Sequence, residues 1–162
     1  MPYTPILATL GYILSPDGKE TLLIHRNTRD DDHHLGKYNG LGGKLEPDED
    51  IVAGFKREVR EEAGIDCEDV VLCGTISWPG FGKHGEDWFG FIFKVTRFSG
   101  TPFTKNPEGT LSWILVENML DLPLWEGDKY FLPLVFSDDS RQFHGVMPYQ
   151  DGRPVNWSYS LI

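Results

Sequence analysis

The chain has 162 residues, of which 40% are hydrophobic and 25% charged, a composition that suits one globular domain with a buried core. Its 25 acidic and 15 basic residues give a formal charge of −10. This charge argues against a protein that binds nucleic-acid polymers, because affinity for the phosphate backbone comes from clustered lysine and arginine. Two cysteines, Cys67 and Cys73, are too few for a disulfide framework and lack metal-ligand spacing, so we expect both to be reduced.

The first segment, "MPYTPILATLGYIL", carries neither a basic leader nor a small-residue cleavage pattern. Its apolar run is short and is interrupted by Thr9, Gly11 and Tyr12, unlike a membrane span. We therefore expect a soluble cytoplasmic protein with no membrane partner, which acts as a monomer or, as the alternative, a dimer.

Two runs rich in apolar and β-branched residues, 6–14 and 21–24, flank the turn "SPDGKE" and predict a β-hairpin. A polar loop follows, "HRNTRDDDHHLGKYNGLGG". The adjacent His33 and His34 in this loop are predicted to diverge onto a polar surface rather than to bind a metal. Residues 50–63 show helical spacing, and Gly64 is placed to end the helix. The apolar residues with this spacing are Ile51, Val52, Phe55, Val59 and Ala63.

Strand-like runs are predicted at 70–78, 88–96 and 111–116, with glycine-rich loops between them. A helix is predicted over 128–136, although it contains Pro133. Two further extended runs, 143–149 and 155–161, complete the pattern. With no internal repeat or linker, residues 1–162 are predicted to form one α/β domain, a mixed sheet with helices packed on it.

Three glutamates, Glu58, Glu61 and Glu62, share one face of the predicted helix, where like charges three or four residues apart are mildly destabilising. A solvated acidic face would explain them. However, Gly54 lies on the same face at a cost of about 1 kcal/mol relative to alanine, which indicates a close approach by another group. Mg²⁺, which prefers oxygen ligands shared between carboxylates and phosphates, would relieve the repulsion. Arg57 can pair with a carboxylate and orient it.

The stretch "GKLEPDEDIVAGFKREVREEAGI" resembles the signature of the Nudix hydrolase family, G-x5-E-x7-R-E-U-x-E-E-x-G-U, where U is aliphatic. Every fixed position matches: Gly43, Glu49, Arg57, Glu58, Val59, Glu61, Glu62, Gly64 and Ile65. The resemblance implies a Nudix fold, an α/β/α sandwich with a central mixed sheet. It also implies hydrolysis of a nucleoside diphosphate derivative by water attack on phosphorus, with Mg²⁺, or Mn²⁺ in its place, as cofactor.

The resemblance also assigns roles to residues of the signature. The implied metal ligands are Glu58, Glu61, Glu62 and the backbone carbonyl of Gly43, with one of the glutamates free to act as general base. Which glutamate is the base stays open. Glu49 and Arg57 would orient these ligands.

Outside the signature the chain is similar to the MutT-type branch, which hydrolyses oxidised purine nucleoside triphosphates such as 8-oxo-dGTP. The similarity lies in "GKYNGLGGKLE", "EGTLSW", "PLWEGDKYFLPL" and "FHG". By this similarity Glu108 completes the metal site, and the small-molecule nucleotide is bound by Asn39, Lys44, Trp78, Trp125 and Asp128. An amide and a carboxyl can read a purine edge, and indole rings provide a flat surface for the base. Read alone, the tryptophans would more often be core residues and Glu108 a solvated turn residue.

One departure concerns the base. The mammalian members of this branch have two adjacent acids after the tryptophan, whereas "WEGD" keeps only Asp128 in register. Hydrolysis of ADP-ribose or another nucleoside diphosphate derivative is the alternative, since Pro79 lies close to the position of a proline that marks that branch. A catalytically inactive Nudix domain, which senses nucleotides or binds a protein, is the third interpretation, and the three intact glutamates disfavour it.

Overall fold

The computed structural model describes residues 1–162 and contains eleven β-strands, two α-helices and one 3₁₀ helix. The strands are β1 (Ile6–Leu14), β2 (Glu20–Arg26), β3 (Tyr38–Asn39), β4 (Asp66–Trp78), β5 (Trp88–Ser99), β6 (Lys105–Asn106), β7 (Gly109–Leu115), β8 (Phe143–Val146), β9 (Tyr149–Gln150), β10 (Arg153–Pro154) and β11 (Ser158–Leu161). The helices are α1 (Ile51–Ala63), α2 (Asp128–Val135) and the 3₁₀ helix (Val116–Asp121).

Nine strands form one mixed sheet in the order β11-β8-β4-β5-β1-β2-β7-β6, with β3 paired to β2. Two neighbouring pairs, β1 with β5 and β4 with β8, are parallel, and the other pairs are antiparallel. The predicted hairpin of β1 and β2 is present. Because β1 lies between β5 and β2, the first strand of the chain occupies the interior of the sheet rather than its edge.

One α-helix packs on each face of the sheet. Successive side chains of a strand point to opposite faces, so one strand can contribute to the cores on both sides. Along β2, Leu22 and Ile24 pack in a core on the α1 side, whereas Leu23 packs in a second core on the α2 side. Helix α1 contributes Phe55, Val59 and Ala63 to the first core; helix α2 contributes Phe131, Leu132 and Val135 to the second. The predicted α/β/α sandwich with a central mixed sheet is therefore confirmed.

Helix α1 begins and ends at the predicted signals. The side chain of Asp50 caps it by accepting hydrogen bonds from the backbone N–H groups of Val52 and Ala53, at 2.9 and 2.8 Å. Gly64 ends it in the left-handed conformation, with φ of 72°, and donates its N–H to the carbonyl of Arg60. This capped helix holds the three glutamates at fixed positions beside the sheet.

The C-terminal part differs from the prediction of two continuous extended runs. The run 143–149 breaks after Val146, and the run 155–161 contains a strand only over Ser158–Leu161. Between them β9 and β10 form a separate hairpin, whose turn residues Asp151 and Gly152 have φ of 53° and 78°. An Asp-Gly pair is the usual signal for a two-residue turn with positive φ at both positions, so this hairpin could have been read from the sequence.

Other differences are smaller. Strand β4 begins at Asp66 rather than at residue 70, and α2 ends at Val135 with Phe136 as its C-cap. The predicted loop after β2 contains the short strand β3. Cys67 and Cys73 are both free, as expected. None of the three helices has the length and hydrophobicity that a transmembrane helix requires.

Candidate active site

A cleft of about 400 Å³ lies beside the carboxylate face of α1. The loop before α1 forms one wall, and the end of β2 and the β6–β7 turn form the other. Its lining residues are Ile24, Arg26, Arg29, Gly40, Gly42, Gly43, Glu58, Glu61, Glu62, Asn106, Pro107 and Glu108. The cleft therefore brings together Gly43, the three signature glutamates and Glu108, which the sequence placed in one site.

Glu62 is the most deeply placed carboxylate of the cleft. Burial, together with the nearby charges of Glu108 and Glu58, raises the pKa of Glu62 to about 9. Its Oε1 accepts one hydrogen bond, from the backbone N–H of Gly42 at 3.3 Å. A buried carboxylate with a raised pKa is stabilised when it binds a proton or when a cation lies beside it.

Glu58 lies directly against Gly43. A Cβ atom on Gly43 would lie 2.6–2.7 Å from the carboxylate atoms of Glu58, so a side chain at residue 43 would displace that carboxylate. Burial raises the pKa of Glu58, and the neighbouring Arg57 opposes that rise. The signature glycine thus gives the glutamate access to the backbone of the loop.

Arg57 organises the carboxylates on its side of the cleft. It binds Glu49 through two hydrogen bonds, from Nε at 2.9 Å and from Nη2 at 2.7 Å. This pairing holds the pKa of Glu49 at about 2. Nη1 of Arg57 also contacts Glu58 at 3.0 Å and Glu61 at 3.3 Å. The orienting role predicted for Glu49 and Arg57 has a matching geometry.

The glutamates face one cleft without forming a closed ligand set: no three His, Cys, Asp or Glu side chains converge to hold a metal ion. Arg57 draws Glu58 and Glu61 toward itself, while Glu62 bonds the backbone on the other side. The donor set is nevertheless all oxygen, which suits a hard divalent cation. Burial and the charges of Glu108 and Glu58 raise the pKa of Glu62, while the N–H of Gly42 and the charge of Arg26 oppose the rise. These residues fit a divalent metal.

Gly54 has a different explanation from the one predicted. A Cβ atom there would lie 2.5 Å from the side chain of Leu45 and 2.9 Å from Oε1 of Glu49. The closely approaching group is therefore the loop that precedes α1, not a metal ion. Gly54 lets Glu49 reach Arg57, and so it contributes to the site indirectly.

Basic residues face the carboxylates across the cleft. Nη1 of Arg26 lies 3.5 Å from Oε2 of Glu108, and Arg29 lines the same space. Neither arginine was predicted from the sequence, because a polar loop rich in arginine and aspartate has no distinctive spacing. Together they provide positive charge on the wall opposite Glu58, Glu61 and Glu62.

Asn106 is a third cleft residue that was not predicted from the sequence. Its Oδ1 accepts hydrogen bonds from the backbone N–H groups of Glu108 and Gly109, at 2.9 and 3.1 Å. Its Nδ2 donates to the carbonyl of Glu62 at 2.9 Å. Asn106 therefore ties the turn that carries Glu108 to the end of α1. The "NPEG" turn composition was the available signal.

The predicted base-binding tryptophans lie in one aromatic group. Phe81 connects them, with ring centroids 5.9 Å from Trp78 and 5.4 Å from Trp125. Trp78 also packs against the α2-side core, so its packing role is real. Nδ2 of Asn39 is buried and has no hydrogen-bond partner, which leaves a donor free for a ligand. Gly40, the next residue, lines the cleft.

Asp128, at the start of α2, is the predicted acid of the base site. Burial raises the pKa of Asp128 to about 7, and the charge of Lys37 opposes the rise. Glu126 is exposed and pairs instead with Arg153, Oε2 to Nε at 3.2 Å. Gly127 separates the two acids, so only Asp128 remains directed inward.

The structure places Lys44 outside the cleft and corrects the prediction for His34. Lys44 is exposed, with Nζ 5.5 Å from the ring centroid of Trp88, and it does not line the cleft. His34 does not lie on a polar surface as expected. It is half-buried, and its Nδ1 accepts a hydrogen bond of 2.7 Å from Nε1 of Trp125. Only His33 is exposed. The prediction for His34 was wrong because its hydrogen-bond partner, Trp125, lies 91 residues away in the sequence.

Comparison with known proteins defines the family. Residues 4–135 match the model of the NUDIX domain. The mouse oxidized purine nucleoside triphosphate hydrolase is 33% identical over 158 residues, which cover 98% of this chain and 95% of the mouse protein. The crystal structure of the Mutator MutT protein from Bacillus halodurans matches with a TM-score of 0.83 and 28% identity, over 96% of this chain and 97% of that one. The NUDIX domain of Shewanella oneidensis NrtR, solved with ADP ribose, shares the fold, with a TM-score of 0.67, 14% identity, and coverage of 83% and 88%.

The fold and the carboxylate cleft are those of a hydrolase of phosphorus-containing anhydrides, and the chain belongs to the Nudix family. It is a Nudix pyrophosphohydrolase and resembles the MutT-type members. Enzymes of this family use divalent metal ions and act on small nucleotide derivatives.

Proposed function

We propose that the protein hydrolyses an oxidised purine nucleoside triphosphate, of the 8-oxo-dGTP kind, to the monophosphate and pyrophosphate with Mg²⁺ or Mn²⁺. The observation that carries this proposal is the cleft in which four glutamates face two arginines; Asn39, Trp78, Trp125 and Asp128, which would bind the base, lie outside its lining. The carboxylate cleft has arginines on its opposite wall and reaches Gly40, next to Asn39 with its free buried donor. The similarity over nearly the whole length to the mouse enzyme supports the same substrate class.

The metal would be held by Glu58, Glu61, Glu62 and Glu108. The carbonyl of Gly43 would be a further ligand; in this structure it accepts hydrogen bonds from Thr9, from the backbone N–H at 2.8 Å and from Oγ1 at 3.4 Å. When bound, the ion neutralises charge on the phosphate oxygens and lowers the pKa of the attacking water. The side chain of Glu49 keeps Arg57 in place, and Arg57 positions Glu58 and Glu61.

Arg26 and Arg29 would bind the phosphate oxygens from the opposite wall. A phosphate contact of Lys44, whose Nζ lies 5.5 Å from the ring centroid of Trp88, stays a prediction. Two cations facing four carboxylates allow a polyanionic substrate to lie in the cleft once metal is present.

The base would lie on the aromatic group of Trp78 and Trp125. Nδ2 of Asn39 offers a donor, and Asp128 offers a donor or an acceptor, since burial brings its pKa to about 7. Because Glu126 turns outward to Arg153, a single acid reads the base. We therefore expect a narrower range of oxidised purines than a pair of acids would accept.

A substrate panel tests the proposal. The protein is incubated with Mg²⁺ and with dGTP, 8-oxo-dGTP, 2-hydroxy-dATP, ADP-ribose or diadenosine polyphosphates, and the products are identified. We expect the highest kcat/KM for 8-oxo-dGTP, with pyrophosphate released and no turnover in EDTA. A preference for ADP-ribose would establish the alternative activity, and the absence of any turnover would favour a nucleotide-binding module.

A further inference from the structure

The loop between β2 and β3, residues 27–37, connects the cleft to Trp125 through a series of polar contacts. Arg26, at the end of β2, donates to Asp32 from Nε at 2.8 Å and from Nη2 at 3.2 Å. The side chain of Asp32 is only 4% exposed, so this ion pair is shielded from solvent. The same Arg26 faces Glu108 in the cleft.

The contacts continue from Asp32 to the aromatic group. Oδ1 of Asp32 accepts a hydrogen bond of 2.9 Å from the backbone N–H of His34, which fixes the loop at this residue. Nδ1 of His34 then accepts the 2.7 Å hydrogen bond from Nε1 of Trp125. The accepting Nδ1 carries no proton, so the neutral ring is protonated on Nε2. Burial lowers the pKa of His34 to about 4, and the acceptor therefore persists at neutral pH.

This hydrogen bond determines what Trp125 can offer to a base. The indole N–H is the only polar hydrogen of the side chain, and His34 occupies it. The ring is further confined by Phe81, edge-on at 5.4 Å, and by Nζ of Lys37 at 5.5 Å from its centroid. Trp125 can therefore offer a base its ring rather than its N–H, and Nζ of Lys37 lies over one of the two ring faces.

We propose that His34 is a positioning residue of the base site: it sets the orientation of the Trp125 indole and thereby the affinity for the purine base. The buried pair of Arg26 and Asp32 holds His34 in register. This inference rests on the proposed function, because the base must stack on Trp125. It adds a residue from a loop that carries none of the signature positions.

Steady-state kinetics of matched histidine variants test the effect on substrate. We expect His34→Ala to raise KM for 8-oxo-dGTP about fivefold, the effect of one lost hydrogen bond, with kcat within about twofold of wild type. His33→Ala is the control: the His33 ring lies at the same 5.1 Å centroid distance from Trp125 but makes no hydrogen bond to it. His34→Asn, whose Oδ1 can replace Nδ1 as acceptor, should restore KM to near the wild-type value.

A double-mutant cycle isolates the contact. In a Trp125→Phe background, which lacks the indole N–H, His34→Ala should have no further effect on KM. An equal fivefold increase in that background, or an equal effect of His33→Ala, would overturn the positioning role.

An observation independent of activity separates this inference from the proposed function. In ¹H–¹⁵N NMR spectra of the metal-free protein, the Trp125 indole resonance is assigned by its loss in Trp125→Phe. We expect this resonance to move upfield in His34→Ala and to stay near its wild-type position in His34→Asn and His33→Ala. An unchanged indole resonance in His34→Ala overturns the inference whatever the substrate is. A moved resonance with no turnover of 8-oxo-dGTP would instead reject only the proposed substrate.

Discussion

At the scale of single residues, Glu62 combines burial with the charges of two other glutamates, and a divalent cation would relieve that repulsion. We expect Glu62→Gln to lower kcat/KM by about 100-fold or more, since an amide is a weaker metal ligand than a carboxylate. The measurement is steady-state hydrolysis over a range of Mg²⁺ concentrations. Glu117→Gln, in the exposed first turn of the 3₁₀ helix, is the matched control and should retain full activity. Wild-type activity of Glu62→Gln would remove Glu62 from the metal site.

Asp128 gives a pH dependence of stability. Its pKa is about 7 in the folded protein against a usual value of 3.8, so the folded state binds the proton more tightly. The resulting stabilisation is complete below about pH 3.8 and is lost as the pH rises through about 7. Relative to Asp128→Asn, which cannot ionise, the wild-type melting temperature should fall by at least ~2 °C between pH 4 and pH 8.

The check is differential scanning calorimetry of both proteins in EDTA across that pH range. Glu126→Gln, a change at the neighbouring exposed acid, is the control and should keep the wild-type pH profile. A constant difference between wild type and Asp128→Asn at every pH would show that Asp128 has an ordinary pKa.

The residues that sequence reasoning identified differ in kind from those it missed. Glu58, Glu61 and Glu62 were identified from their spacing within one helix, which is a local property that can be read directly from a sequence. The contact of His34 with Trp125, and that of Arg26 with Asp32 and Glu108, join loops that the chain brings together only on folding. No local pattern encodes such partners.

At the scale of elements, α1 is stabilised by its N-cap. Asp50→Ala removes the two hydrogen bonds to Val52 and Ala53 and should cost about 1 kcal/mol, lowering the melting temperature by ~2–4 °C. Asp48→Ala, at an exposed residue of the same loop, should leave it unchanged. Thermal unfolding followed by circular dichroism measures both. Equal melting temperatures for Asp50→Ala and Asp48→Ala would contradict the capping role.

The boundaries of α1 were predictable because the apolar spacing, Asp50 and Gly64 all lie within one short segment. Strand β3 was not, since its two residues pair with β2 across a loop that is held by the contact of Arg26 with Asp32. The parallel pairing of β1 with β5 was equally inaccessible, because apolar strands alike in composition do not specify their neighbours. The β9–β10 hairpin was encoded locally, in its Asp-Gly turn, and was overlooked.

At the scale of the whole molecule, the cleft depends on distant parts of the chain. Strand β2 supplies Arg26, α1 supplies the glutamates, and the β6–β7 turn supplies Glu108. The sheet that carries them extends from Ile6 to Leu161 and separates two cores, one on each face. We propose that residues 1–162 form one domain, since β1 and β5 each contribute side chains to both cores.

One domain should unfold in one step, and tryptophans on both faces allow a test. Trp113 packs against the α1-side core, and Trp78 and Trp157 pack against the α2-side core. A Trp113→Phe variant lacks the tryptophan that packs against the α1-side core. Its fluorescence therefore follows unfolding through the remaining tryptophans, whereas far-ultraviolet circular dichroism follows unfolding of the whole sheet. The two melting curves should coincide within about 1 °C. Adding Asp50→Ala, a change in α1, should shift both curves by the same ~2–4 °C, because a single cooperative unit transmits the loss to the opposite face. A shift confined to one probe, or two separate transitions, would show that the faces unfold independently.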